Sequence, residues 1–147
     1  MMDAALQNKI ESAKSVRASQ NATCAQILKN GEVKVYFERG IQPLLDAHAR
    51  GELDGAVISD KVIGKAAALL AVHGGVAALH ACLVSSPAKA VLDVAGTPYV
   101  YDAECARIVN RRGDGLCPME SAVMDIEDPA EALPRILQTA DELRKKS

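Results

Sequence analysis

The sequence predicts an α/β fold of three layers, α/β/α, in which a mixed β-sheet opens on an N-terminal β-hairpin and carries helices on both faces. Three observations predict it. Asn30-Gly31 separates two strand-like runs, and short buried strand runs alternate with helical ones from Gly40 onward. The segment from Lys61 to His73 is helical in pattern but apolar on nearly every side, so other elements must cover it. A chain of 147 residues is long enough to remove roughly 68 to 70% of its unfolded surface from water around one core. No repeat, linker or low-complexity tract divides it. The expected organisation is an N-terminal helix within residues 1 to 22 and a single domain over residues 23 to 147.

Leu6, Ile10, Ala13 and Val16 recur at helical spacing across residues 3 to 18, which predicts an amphipathic first helix. Thr23 to Leu28 and Val33 to Phe37 are the hairpin strands, and Asn-Gly between them suits a tight turn with positive φ at both residues. Gly40 to Ala49 is a short helix with Pro43 in its first turn, where a missing N–H is harmless. Gly51 opens a turn toward a buried strand, Ala56 to Ser59. Asp60 is then placed to cap the helix Lys61 to His73, which Gly74-Gly75 ends. Ala78 to Val84 reads as an interior strand, and Ser86, Pro87 and Gly96 frame a further helix as cap, first residue and stop. Pro98 to Tyr101 is the next strand. Asp128-Pro129-Ala130-Glu131 is a capping-box start for the last helix, whose inward stripe is Leu133, Ile136, Leu137, Ala140 and Leu143 and which Pro134 should kink.

Composition narrows the function. Apolar residues make up 49% of the chain, and 17 basic against 19 acidic residues leave a net charge of −2. With the basic residues scattered, no Trp, one Phe and three Tyr, the chain offers neither the basic face nor the stacking platforms that nucleic acid requires. The longest apolar stretch, Ala66 to Leu83, is interrupted by His73-Gly74-Gly75 and His80, so no membrane partner is expected. The first residues lack the basic start and apolar run of a signal peptide, so the protein is expected in the cytoplasm. Cys24, Cys82, Cys105 and Cys117 have no C-x-x-C spacing and are expected as free thiols there.

The order hairpin, buried helix, strand, Pro-started helix, strand resembles the cytidine deaminase-like fold. Local sequences are closer still to a bacterial family, domain of unknown function 1893, of that fold superfamily. The resemblance is carried by Glu38-Arg39-Gly40 with Pro43-Leu44-Leu45, by Asp60 to Ala68, by Gly74-Gly75-Val76, and by Leu116-Cys117-Pro118-Met119-Glu120, and it covers residues 23 to 135. It implies helices at Lys61 and Pro87 in the places where deaminases bind zinc. Zinc deaminases show H-x-E or C-x-E on the first of these helices and P-C-x-x-C on the second. Here the helices begin Asp60-Lys61-Val62-Ile63 and Ser86-Pro87-Ala88-Lys89, so both ligand sets are absent and no metal, cofactor or deaminase activity is expected. His48, His73 and His80 lead to Arg50, Gly75 and Cys82 two positions on, which excludes a shifted H-x-E as well.

Other residues remain as candidates. Lys61, Gly64, Lys65 and Ala68 fall on one helical sector, where free N–H groups and two cations would hold a phosphate or carboxylate, unless Asp60 takes those N–H groups and the lysines are solvated or paired. Cys117, with Pro118 next and Glu120 three positions on, stands at an N-cap, where a thiolate is favoured; a buried structural thiol is the plainer alternative. Arg111 and Arg112, in a polar loop that runs to Gly115, could clamp an anion or simply face water. His80 and Cys82 share one face of a strand and could be two metal ligands, but with no third or fourth in view they read better as core residues, and His73 should meet the carbonyls that end its helix. The expected partner is an anionic small molecule, phosphorylated or nucleotide-like, bound by Asp60, Lys61, Gly64, Lys65, Arg111, Arg112, Cys117 and Glu120, in a homodimer. The alternatives are a metal-independent enzyme using Cys117 or a lysine, and a structural homo-oligomer.

Overall fold

The computed structural model describes residues 2–110 and 112–146. α1 (Ala4–Ser19) is capped by Asp3, whose side chain accepts from the Leu6 N–H, and it precedes the hairpin of β1 (Cys24–Ile27) and β2 (Val33–Tyr36). The hairpin forms where the sequence places it, but through a longer turn. Only Gly31 takes a positive φ there, at 92°, while the Asn30 side chain accepts from the Glu32 N–H at 2.9 Å. α2 (Gln42–Ala49), β3 (Val57–Ile63), α3 (Lys65–Gly74), β4 (Ala78–Ser85), α4 (Ser86–Ala95) and β5 (Tyr99–Cys105) follow, and α5 (Pro118–Ala122) and α6 (Pro129–Lys146) close the chain. The sheet order is β2-β1-β3-β4-β5, with β1 antiparallel to both neighbours and β3, β4 and β5 parallel.

α1 lies on one face, where Ile10 and Ala13 pack against Ile27, Val57 and Ala78. Its apolar stripe is therefore covered by its own sheet. On the other face Leu44 and Leu45 of α2, Leu69 and Leu70 of α3, and Val91 and Leu92 of α4 pack with Ile58, Leu79 and Val84 of the strands. Ala132, Ile136 and Ala140 of α6 join the same core, laid over α3. That arrangement explains why α3 is apolar all round, since it is enclosed by sheet, flanking helices and α6 at once.

The start of α3 differs from the sequence expectation. Asp60 does not cap a helix and Lys61 is not in one, because β3 runs on through Val62 and Ile63, which pair with Leu83 and Val84 of β4. Two β-branched residues in register with a parallel neighbour favour strand over helix there. The helix begins only after Gly64, and Lys65 is its first residue. Likewise Ser85, not Ser86, caps α4, accepting from the Ala88 N–H at 3.2 Å, and β5 continues past Tyr101 to Cys105. Among the described residues no helix is long and apolar enough to cross a membrane.

Candidate functional site

Three parallel strands bring their carboxyl ends to one edge of the sheet, at Ile63, Ser85 and Cys105. In open α/β sheets ligands gather outside that edge, where the following helices present N–H groups without intrahelical partners. α3 has no capping side chain of its own, because its N-cap is Gly64. The cap arrives from α5. Glu120 accepts the Lys65 N–H at 2.7 Å through Oε1 and the Ala66 N–H at 3.0 Å through Oε2. A carboxylate at a helix start is favoured both by the dipole and by charge-assisted hydrogen bonds. Gly64 makes the approach possible, since a Cβ there would lie 2.5 Å from Glu120 Oε1.

The Lys65 side chain is buried and ties the same segment down. Its Nζ donates to the Met124 carbonyl and to Glu127 Oε1, both at 2.9 Å. Two cavities flank Glu120. The larger, about 330 Å³, is walled by Pro87, Ala106, Leu116 and Met124 and is also lined by Lys65 and Arg107. The smaller, about 100 Å³, lies among Gly40, Ile41, Asp60, Gly64, Met119 and Cys117.

Of the residues singled out by the sequence, Asp60, Gly64, Lys65, Cys117 and Glu120 meet around these two cavities. Lys61 does not join them. Asp60 and Val62 line the smaller cavity, so the alternation of a strand turns Lys61 to the opposite face, where it is exposed. Arg112 is exposed in the loop, and Arg111 lies outside the described residues. Cys117 is half-buried, and no histidine lines its cavity to act as a base. It caps a helix of five residues without a side-chain hydrogen bond. Lys65 belongs to the other cavity, so no reactive pairing of Cys117 with a lysine is built.

Arg107 and Met124 carried no signal in the sequence. Among the described residues Arg107 enters no ion pair, whereas Lys65, the other cation of the larger cavity, is already paired with Glu127. Asp60 faces Cys24 across the β1–β3 ladder, and burial pushes its carboxyl up from 3.8 to about 7. Burial pushes the Cys24 thiol up too, and the neighbouring Asp60 charge adds to it.

Away from this edge, on the α1 face, the structure joins side chains that the sequence left as separate core residues. Ser59 Oγ lies 2.8 Å from His80 Nδ1, and His80 Nε2 lies 3.1 Å from Asp102 Oδ1. Arg17 Nε donates to Ser59 Oγ at 3.2 Å. Burial lowers the His80 pKa, and the hydrogen bond from His80 holds Asp102 below its usual value, so a neutral imidazole faces a carboxylate. A carboxylate only accepts, which puts the proton on Nε2 and makes Ser59 the donor to Nδ1. His73 does not end its helix as expected either. Its Nδ1 lies 2.8 Å from His48 Nε2, and the two rings stack.

The family model described as domain of unknown function (DUF1893) matches residues 12–139. The crystal structure of a DUF1893 family protein, TM1506 from Thermotoga maritima, superimposes with a TM-score of 0.83 over 94% of this chain and 92% of that one, at 23% sequence identity. No curated protein matches the chain.

Proposed function

The chain belongs to the domain of unknown function 1893 family, and we propose that it is a binding domain that takes an anionic small molecule in the larger cavity. The observation that carries this is the meeting, in one cavity of about 330 Å³, of a guanidinium without an ion pair, Arg107, and a carboxylate fixed by two N–H groups, Glu120. That volume is at the small end of ligand sites. Pro87, Leu116 and Met124 offer apolar walls between the two charged ends. A complementary ligand has a flat or apolar body, a phosphate or carboxylate for Arg107, and an N–H or O–H donor for Glu120. Nucleotide-like compounds have all three.

Zinc-dependent deamination is not part of the proposal. The start of α3 is Gly64-Lys65-Ala66 and that of α4 is Ser85-Ser86-Pro87-Ala88, which offer no zinc ligand, and the resemblance to the deaminase-like fold carries no chemistry by itself. Glu120 occupies the N–H groups of α3, and Lys61 is on the other face, so the anion contact passes from the helix start to Arg107.

A thermal-shift screen with nucleoside monophosphates, sugar phosphates and small carboxylates tests this, since a ligand at 100 times its Kd adds about 2.7 kcal/mol to stability. Arg107→Ala should weaken the best binder by roughly 10- to 150-fold, the equivalent of about 1.5 to 3 kcal/mol for a charged hydrogen bond. Arg107 is exposed, so the fold should be unaffected. Failure of every compound, or wild-type affinity in Arg107→Ala, overturns the assignment.

A further inference from the structure

His80, Cys82 and Asp102 bring three metal-ligating atoms of different kinds to one point on the α1 face. The imidazole nitrogen, the thiol sulfur and a carboxylate oxygen all lie within 4.8 Å of one another. The sheet fixes this triangle. His80 and Cys82 are two positions apart on β4 and so share a face, and Asp102 is on the adjacent parallel strand, where Ala81 pairs with Tyr101 and Leu83 with Ala103. Strands position ligands more rigidly than loops do, although β5, which carries Asp102, is the edge strand of the sheet. Three ligands are thus held without help from a flexible segment.

We propose that these three residues form a binding site for one divalent metal of borderline softness, with zinc as the best fit. Imidazole, thiolate and carboxylate are the three protein ligands zinc uses, at about 2.0 to 2.3 Å, which puts neighbouring donors roughly 3.3 to 3.6 Å apart in a tetrahedron. The His80 and Asp102 atoms are at 3.1 Å already, and Asp102 has an exposed side chain that can adjust. His80 is fully buried while Cys82 is only partly so, and this leaves the metal open to solvent on the Asp102 side for entry and for a fourth ligand.

Behind His80 stands the support that metal-binding histidines require. Ser59 Oγ lies 2.8 Å from Nδ1, and Arg17 Nε donates to that oxygen. On metal binding the imidazole proton shifts from Nε2 to Nδ1, where Ser59 accepts it, and Nε2 is freed for the metal. The Cys82 thiol gives its proton to solvent. The thiolate and carboxylate then balance the two charges of the ion. Two nearby cations have partners of their own, Arg17 donating also to the Ala22 carbonyl at 3.3 Å and Lys14 lying 3.6 Å from Glu11, while Lys61, opposite Cys82 in the β3–β4 register, is exposed to solvent. This site is on the opposite face of the sheet from the Glu120 cavities, so it stands or falls independently of the proposed ligand.

The test is titration of the chelator-treated full chain with Zn²⁺ and with Co²⁺ as the spectroscopic probe. The expected result is one equivalent bound, intense tetrahedral cobalt bands in the visible, and a thiolate-to-cobalt charge-transfer band in the near ultraviolet. Cys82→Ser should abolish the charge-transfer band and Asp102→Asn should weaken binding at least tenfold, whereas His48→Ala, which breaks the other histidine pair, should change neither. In the unsubstituted protein bound zinc should also protect Cys82 from alkylation by iodoacetamide, a readout that needs no variant to fold. A cobalt complex without a thiolate band, the same band in Cys82→Ser, loss of binding in His48→Ala, or unprotected Cys82 overturns the site.

Discussion

Replacing Gly64 by alanine tests whether the Glu120 carboxylate is the true cap of α3. Gly64 has φ −97° and ψ −175°, extended backbone that alanine adopts without strain, so the substitution acts through space alone. The new Cβ would lie 2.5 Å from Oε1, 2.6 Å from Cδ and 2.8 Å from Oε2 of Glu120. These atoms are the end of a flexible side chain, which can swing away. In doing so Glu120 gives up the Lys65 and Ala66 N–H groups. A hydrogen bond to a charged group contributes about 1.5 to 3 kcal/mol, and water entering from the cavities recovers a good part of each, leaving a net loss of about 2 kcal/mol for the pair. That is close to a 30-fold change in the folding equilibrium. Glu120→Ala should cost a similar amount for the same reason. The double variant should then also cost about 2 kcal/mol rather than 4, because the second substitution finds nothing left to displace. Urea unfolding of the four proteins measures the cycle. Additive losses, or a Gly64→Ala variant as stable as the parent, would refute Glu120 as the cap.

Asp60 should make stability fall as pH rises. Its carboxyl is raised by burial from 3.8 to about 7, so its contribution is full below pH 3.8, declines between 3.8 and about 7, and is lost above that. The span corresponds to roughly 4 kcal/mol at most, and Asp60→Asn should be more stable than wild type by part of that at pH 8 with the advantage gone near pH 4, as read by chemical denaturation at the two pH values. The His48 pair responds in the opposite sense. Burial, with His73 second, lowers the His48 pKa from 6.5, so its contribution is present above pH 6.5 and is lost on acidification. His48→Gln should cost about 1 kcal/mol at pH 8 for the lost hydrogen bond and less at pH 5.5, and an unchanged difference between the two pH values would count against the pair.

Local signals were legible and long-range ones were not. Asn30-Gly31 marks the hairpin and the apolar run after Lys65 marks a covered helix, because turn chemistry and periodicity reside in neighbouring residues. Asp60-Lys61 looked like a helix start for the same local reason, an acidic residue before a helical pattern. What overrides it is the pairing of Val62 and Ile63 with Leu83 and Val84, a choice made by another strand. The cap of α3 comes from 55 residues away, so no window of sequence around Lys65 could contain it. Gly64 was a partial clue, since a glycine ahead of a strong helix pattern asks for a close approach, and Glu120 is what approaches. His80 and Cys82 were visible as a face-sharing pair, but Asp102 is on β5, which extends four residues beyond Tyr101 only because it pairs with the end of β4.

The capped state of α3 also decides what the larger cavity can recognise. An open helix start would attract any small anion, with little demand on the rest of the ligand. With Glu120 in place that attraction is already satisfied within the chain, and a bare anion approaching the same N–H groups must first displace a carboxylate held by two hydrogen bonds. Among the described residues Arg107, on a loop beyond β5, enters no ion pair, and the anchored carboxylate of Glu120 lines the same cavity. A ligand therefore gains most by spanning the two, with its negative group toward Arg107 and a donor toward Glu120, and it gains least if it is only an anion. The helix dipole acts here through Glu120: together with the Lys65 and Ala66 N–H groups it holds that side chain in position, so the cavity selects for a donor group where the bare helix would have selected for a phosphate.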